Sequence, residues 1–580
     1  MFGNNLKRLL KIYFLEPRLV TAAFGGAALG LVMSVAGPLA VRSVVHQAIE
    51  AGRSDLLLPL TAIVLGATAL KAAGVYVRKR YAGLTGIALE VRMRSSLYDH
   101  VHGLDMAFHD SMPTGQLMSR VASDMQRVGH TLGAIPFFSA MIMYLVLVSI
   151  ILFTVDPVMA ALVVVALPFM GRLAVVFTRK LDPVVRWTQQ HLGEVTSVAE
   201  ETVAGIRVVK AFGREDFQVG RLERRAALVQ DQAMKAIKIR ATLQPMFEFI
   251  PALILAIVVW VGGLRVIDDH MNLSDLVLFA LYATQLGTPV RAIGWLVTDL
   301  QQAVSASSRI FEVLDTKSGI EDRPGATILA ADDGNIAYEG VRYENNSQTI
   351  LDGVSLQIPS GTSIALVGPT GCGKSTLLRL LLRFIEPTSG RILIDATDIA
   401  SVTLHSLRIQ TGTVFEETFL FSDTIANNIA FGRPDAADED IVAAAVLAQA
   451  HDFIEELPEG YDTVVGEQGY TLSGGQRQRL AIARAILMKP KILLLDDATS
   501  AVDSEVEKLI RRGLREAMKG RTTLIVARRP QSAALADRVA FMEAGRITAI
   551  GTHDELWERL PAYRATLDAT AVSPLLKAGG

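Results

Sequence analysis

The chain is poor in several features that mark large protein classes. Cysteine occurs once, at Cys372, so no disulfide framework can form within it. Charged residues make up only 20%, and 57 Lys and Arg nearly cancel 59 Asp and Glu. That balance leaves no electrostatic footprint for a nucleic-acid partner, and none is expected. No small-residue cleavage site follows the basic start (Lys7, Arg8, Lys11, Arg18), and the apolar stretch behind it is far longer than a signal-peptide core. It is therefore read as a retained first span. What the chain has in excess is apolar residue, 50% of 580 positions, with a mean hydropathy of +0.34. Such a length exceeds one ordinary domain, and such a composition points to a membrane-embedded fraction surrounded by lipid.

Six stretches are long and apolar enough to cross about 30 Å of hydrocarbon as helices: Leu19–Val41, Leu56–Val77, Leu132–Val155, Met159–Val176, Phe249–Leu264 and Leu276–Val297. The fifth is the shortest, bracketed by Glu248 and Arg265. Arg78, Lys79, Arg80, Arg92, Arg94, Arg120 and Arg127 crowd the connection between spans two and three, against Arg53 and Arg265 on the other side. Cationic loops stay cytoplasmic, so the expectation is a multi-pass protein of the cytoplasmic (inner) membrane with both termini in the cytosol. Two connections, 78–131 and 178–245, are too long for plain loops and carry helical patterning, so the spans are expected to continue beyond the membrane as helices. The segment before the first span mixes apolar and cationic positions from Leu6 to Phe14, which suits either a helix on the membrane surface or a solvated one.

From Asp315 to Gly325 the chain turns polar, and beyond it short apolar strands alternate with helical segments, the pattern of an α/β domain. Strand 363–367 runs into Gly368, Pro369, Thr370, Gly371, Cys372, Gly373, Lys374 and Ser375, with a Leu-rich helix from Thr376. This is GxxxxGK[ST] in a strand, loop and helix setting. Glycines let backbone N–H groups wrap phosphates, Lys374 reaches the β- and γ-phosphates, and the Ser375 hydroxyl takes Mg²⁺. The apolar run ending at Asp496 supplies a second ligand for that ion. ATP and Mg²⁺ are the expected cofactors. Cys372 inside the loop is either a thiol that bound MgATP protects or a buried, inert one.

Leu472-Ser473-Gly474-Gly475-Gln476 lies about 20 residues before the Asp496 strand and opens a helix. Here the chain resembles the ABC ATPases, and the likeness to ABC exporters extends over nearly its whole length. Thr463–Gly469 resembles the exporter-specific segment before the signature, and Ser500-Ala501-Val502-Asp503 the D-loop. Phe108–Asp124 and Glu201–Phe212 resemble the two coupling segments. The resemblance implies an α-helical membrane domain of six transmembrane helices with long cytosolic extensions plus an α/β P-loop nucleotide-binding domain. The corresponding boundaries are an interfacial helix at 1–18, the membrane domain at 19–312, a linker at 313–333, the ATP-binding domain at 334–570 and a tail at 571–580. It also implies a dimer, because Ser473, Gly474, Gly475 and Gln476 of one subunit bind the γ-phosphate of ATP held by the other.

Four positions depart from the family pattern. Asp497 stands where the catalytic Glu is expected, one methylene shorter. Arg528 replaces the switch His; its fork can still bind a phosphate, but it cannot exchange a proton near neutral pH. Glu416 replaces the Q-loop Gln and brings a carboxylate that suits metal binding but adds negative charge beside a polyphosphate. The adenine-stacking aromatic falls on Asn345, with Tyr343 as a substitute if the register shifts by two, or else a strand core residue. Together these imply a site that binds ATP and hydrolyses it poorly, and hence a heterodimer with a second, different half-transporter. Lys71, Gly287, Pro289 and Arg291 are unusual for lipid-facing positions and are candidates for a substrate cavity, against snorkelling or ion pairing. The expected function is ATP-driven movement of an amphiphilic or lipophilic solute, with outward as the expected direction. The alternatives are an exporter-fold importer of a lipid or siderophore, and a nucleotide-gated regulator that transports nothing.

Overall fold

Lipid offers backbone groups no hydrogen-bond partners, so a crossing segment must satisfy its own, and helices do so within one segment. The computed structural model describes residues 2–345, 348–497 and 504–576. Among these, six helical segments are long and apolar enough to span a membrane: Pro17–Glu50, Ser54–Gly103, Thr114–Val155, Pro157–Ala204, Glu215–Ile267 and Leu273–Leu314. Each contains one of the stretches read from sequence. The long connections are helical, as expected: Leu57–Gly103 and Pro157–Ala204 are single helices of 47 and 48 residues. At 1.5 Å per residue each is about 70 Å long, more than twice the hydrocarbon thickness.

Local chemistry explains the interruptions. The fifth segment breaks at Gln244 and Pro245, between helices Glu215–Leu243 and Met246–Ile267. The sixth breaks at Leu286, between Leu273–Gln285 and Gly287–Leu314, where Pro289 has no N–H to give the carbonyl four residues back. Arg265, at the end of the short fifth span, donates to Asp156 at 2.7 Å, while the other oxygen of Asp156 caps the fourth span by accepting from Val158 and Met159 N–H groups. Spans one and two touch backbone to backbone: a Cβ on Gly74 would lie 2.6 Å from Gly30 N. Spans two and three do the same at Gly86, where a Cβ would lie 2.8 Å from Gly129 O. Small residues at such crossings let backbones approach and gain dispersion contact.

The chain divides into two compact units, 1–102 with 114–316, and 103–113 with 317–580. The membrane domain read from sequence as continuous over 19–312 thus lends Gly103–Pro113 to the other unit. In that segment the helix Met106–Ser111 is capped by Asp105, which accepts from Phe108 N–H at 3.0 Å. The second carboxylate oxygen of Asp105 accepts from Gly319 N–H at 2.6 Å, and Arg379 donates to Asp110 at 3.4 Å.

The second unit holds ten strands among its described residues: β1 Ile336–Asn345, β2 Gln348–Ile358, β3 Ser363–Val367, β4 Ser389–Ile394, β5 Thr397–Asp398, β6 Thr411–Val414, β7 Ile492–Asp496, β8 Thr522–Val526, β9 Arg538–Glu543 and β10 Arg546–Gly551. β2-β1-β4-β5 form an antiparallel sheet, and β10-β9-β3-β8-β7-β6 a second one whose β9-β3-β8-β7-β6 part is parallel. Its central strands are buried on both faces, which is why they read as unbroken apolar runs. Ala365, Val367, Leu493 and Leu495 enter one apolar cluster, while Ile364, Leu366, Ile492 and Leu494 enter the other.

Gly86→Val is expected to force spans two and three apart and to destabilise the membrane unit by about 1–3 kcal/mol, the usual scale of overpacking. A thermal melt of the full-length protein in detergent should show the loss, and an unchanged midpoint would contradict the backbone contact.

Candidate nucleotide site

Parallel pairing sets the site. Val414 pairs with Leu495, and Leu495 with Ile525, so the ends of β6, β7 and β8 are level. The loops leaving them emerge together at the carboxyl edge of the sheet, where open α/β sheets bind ligands. Beside β8 lies β3, whose five residues are all buried, and its end opens into the loop 368–373.

That loop depends on glycine at particular points. A Cβ on Gly368 would lie 2.2 Å from Met542 O, and Gly373 takes φ 101°, a left-handed value, just before the helix Lys374–Leu381. The Lys374 ammonium is buried and donates to Gly368 O at 2.7 Å and Pro369 O at 2.9 Å, which centres the charge within the loop. Cys372 is buried, its Sγ 3.7 Å from Lys374 Nζ. Pro369, Thr370 and Gly371 are exposed on the loop's outer side, and Thr376 lies in the first turn of the helix.

Ser375 Oγ donates to Asp496 Oδ1 at 3.2 Å. A hydroxyl and a carboxylate in contact are the hard oxygen donors that Mg²⁺ takes. Burial pushes the Asp496 carboxyl up; the Ser375 hydrogen bond opposes this, and the Glu416 charge adds to it. A cation there would relieve both causes.

The three departures Glu416, Asp497 and Arg528 meet in one cluster. Arg528 donates from both terminal nitrogens to Glu416, Nη1 to Oε1 at 2.8 Å and Nη2 to Oε2 at 2.7 Å. Its Nε lies 3.4 Å from Asp497 Oδ2. Both Glu416 oxygens, read from sequence as candidate metal donors, are therefore engaged by a guanidinium, and the Arg528 fork, read as a candidate phosphate binder, faces a carboxylate. Asp497 has φ 44°, an unusual conformation that a short polar side chain tolerates, and its other oxygen is buried without a hydrogen-bond partner among the described residues. Burial raises its carboxyl above the ordinary range; Arg528 opposes this and Glu416 reinforces it. Sequence reasoning named each residue but not their contact, nor Arg379, whose charge also reaches Asp496.

Ser473 caps the helix Gly474–Leu487 in a reciprocal box: Ser473 Oγ accepts from Gln476 N–H at 3.2 Å, and Ser473 N–H donates to the Gln476 side chain at 2.8 Å. This leaves the exposed Gly474 N–H at the helix N-terminus, with the buried Gly475 behind it, a position suited to an anion. At the other candidate position, Tyr343 packs on the β-sheet core while Asn345 is exposed at the end of β1. Asp503 and the rest of the D-loop lie outside the described residues.

A family model for the ABC transporter transmembrane region matches residues 20–290, and one for ABC transporters matches 351–500. The uncharacterised ABC transporter ATP-binding protein YknU of Bacillus subtilis is 33% identical over 570 residues, 97% of each chain. A bacterial Atm1-family ABC exporter with ATP bound superimposes with a TM-score of 0.78 at 30% identity, covering 96% of this chain and 98% of that one. The chain is an exporter-type ABC half-transporter. This half-transporter is also 38% identical over 466 residues to the ATP-dependent lipid A-core flippase of Desulfotalea psychrophila, 80% of this chain and 81% of that one. It is a multi-pass membrane protein whose second unit is a transport ATPase domain that binds ATP.

Two outcomes follow from the loop geometry. Lys374→Ala is expected to weaken ATP binding at this site by at least about tenfold, the loss of a charge-assisted phosphate contact, measured by equilibrium binding to the full-length chain. The buried Cys372 thiol is expected to react slowly with maleimide both with and without MgATP. Fast labelling without nucleotide would show that the loop opens.

Proposed function

We propose that this half-transporter moves an amphiphilic or lipophilic solute, a lipid or drug, outward across the cytoplasmic membrane, with both termini cytosolic. In this reading it is one half of a heterodimer, and its own site holds MgATP and turns it over slowly. The observation that carries the reading is Asp497. The residue is only 3% exposed, one methylene shorter than the glutamate expected there, and its carboxylate is drawn to Arg528. A catalytic carboxylate displaced by about 1 Å can lose about a hundredfold in rate, so a water beside the γ-phosphate is poorly served. Mg²⁺, held by Ser375 and Asp496, would offset charge on the phosphates. Lys374 and the loop amides bind and orient them.

The intact signature supports a different partner. Ser473–Gln476 is built to receive a phosphate, and in a homodimer it would face a second Asp497 and Arg528. A partner that keeps Glu and His at those positions gives it a productive site to complete. An exposed aromatic cluster also suits a second half-transporter that would cover it. Phe419 and Phe431 are exposed in the ATP-binding unit and both pack on the exposed Phe421 ring; contiguous apolar exposure of this kind marks interaction surfaces. The solute class is supported by a cavity of about 790 Å³ in the membrane unit, lined by Phe137, Phe177 and Trp295 together with Arg78, Glu90 and Asp299. Aromatic walls with a few charges suit a ligand with an apolar body and a polar head. Lys71 does not line this cavity. The relative that carries a lipid A-core flippase name supports the same class.

In the assembled pair, Ser473→Arg is expected to cut ATP hydrolysis at least tenfold, the order seen when one phosphate-stabilising group is lost, whereas Asp497→Ala changes it less than about threefold. Lys374→Ala should leave substantial transport into vesicles. The reading fails if the lone chain hydrolyses ATP as fast as the pair, or if Asp497→Ala abolishes turnover while Ser473→Arg spares it.

A further inference from the structure

Glu416 and Arg528 leave the sheet from β6 and β8, the two strands that flank β7. Neighbouring strands lie about 4.8 Å apart, so these two are separated by about 10 Å. Only a long pair of side chains can meet across the end of β7, and an arginine with a glutamate does so. The resulting bridge lies over the strand that ends in Asp496 and is followed by Asp497. Asp496 touches Ser375 of the phosphate loop, and Asp497 touches the same guanidinium. The fork of Arg528 thus stands within one residue of the metal and phosphate end of the site, yet both of its terminal nitrogens are committed to Glu416.

A guanidinium fork matches one carboxylate or one phosphate in the bidentate manner, and it cannot serve both at once. The Glu416 and Arg528 side chains are 36% and 42% exposed, so their pairing is of the weak, exchangeable kind rather than a locked buried one. We propose that Glu416 is an internal competitor of the γ-phosphate for Arg528. With ADP, or with no nucleotide, the fork stays on Glu416. ATP draws it away, and the release of Glu416 frees the loop that carries the exposed Phe415 and Phe419. Arg528 is in this sense a positioning residue that senses the γ-phosphate, and Glu416 sets how much ATP must outbid ADP. The inference rests on the reading that this chain's own site holds MgATP.

The test is displacement of a trinitrophenyl-ATP probe by MgATP and by MgADP from the full-length chain in detergent. Glu416→Gln is expected to tighten MgATP by about three- to tenfold and to leave MgADP unchanged. Arg528→Ala should bring the two affinities together, and Arg528→Lys, which keeps the charge without the fork, should fall between. The decisive comparison is Glu416→Gln in the two backgrounds. Competition for the fork requires the gain in ATP affinity to be larger with Arg528 present than in Arg528→Ala. Simple repulsion between Glu416 and phosphate gives the opposite order, because removing Arg528 leaves that carboxylate unscreened, and that order would overturn the proposal. An ATP to ADP preference unmoved by Glu416→Gln, in a chain where Lys374→Ala still weakens ATP, removes the competitor role alone. Lys374→Ala without effect on either nucleotide removes the underlying reading of the site, and the proposal with it.

Discussion

Because Val414, Leu495 and Ile525 pair side by side in a parallel sheet, the residues that follow them leave the sheet at the same height. Three loops distant in sequence are thereby forced to share one small volume. The register is held by burial on both faces: sliding any of these strands by one residue would exchange the sets facing the two apolar clusters. Everything chemical in the site follows from that level edge. Asp496 reaches Ser375, Arg528 reaches Glu416, and Asp497 lies between the two flanking loops.

Much of this was legible in the sequence where the information is local. A phosphate loop is specified by eight consecutive residues, and its strand and helix flanks are contiguous with it, so 368–375 is placed by the sequence alone. The signature was legible for the same reason, whereas the capping pair between Ser473 and Gln476 emerged only from the structure. The spans declared themselves by length and hydropathy, because hydrocarbon imposes a minimum run of apolar residues. Glu416 and Arg528 were visible only as two separate oddities. They are 112 positions apart, and nothing in a linear pattern says that an acid and a base at those positions form one bridge. Read singly, each suggested an interaction with the nucleotide or its metal; read together, they first answer each other's charge.

The membrane unit shows the complementary limit. Intramembrane charge was legible as unusual, but not its disposition. Arg265 flanks the shortest span, and its partner Asp156 begins a different helix, where it also acts as a cap. The cavity is lined by Arg78 and Glu90 from one helix and Asp299 from another, and no periodicity within one helix announces such a meeting. The glycines were in plain view, yet a glycine in an apolar helix says only that a side chain is missing. Whether a neighbouring backbone fills the gap, as at Gly74 and Gly86, is a property of the pair of helices.

The allotment of Gly103–Pro113 to the ATP-binding unit bears on how the protein is made. A ribosome reaches this segment long before the strands it belongs with, since the remainder of that unit begins at Lys317. At ordinary elongation speeds of 5–20 residues per second, the wait is roughly ten to forty seconds before the first of its partners is synthesised. Throughout that interval Asp105 and Asp110 have neither Gly319 nor Arg379 to bind. The membrane helices on either side must be threaded and paired while the turn between them stands unclothed. The ATP-binding unit, for its part, cannot be completed by the carboxyl-terminal stretch of the chain alone, so a fragment cut at the linker would carry an open seat where that early turn belongs.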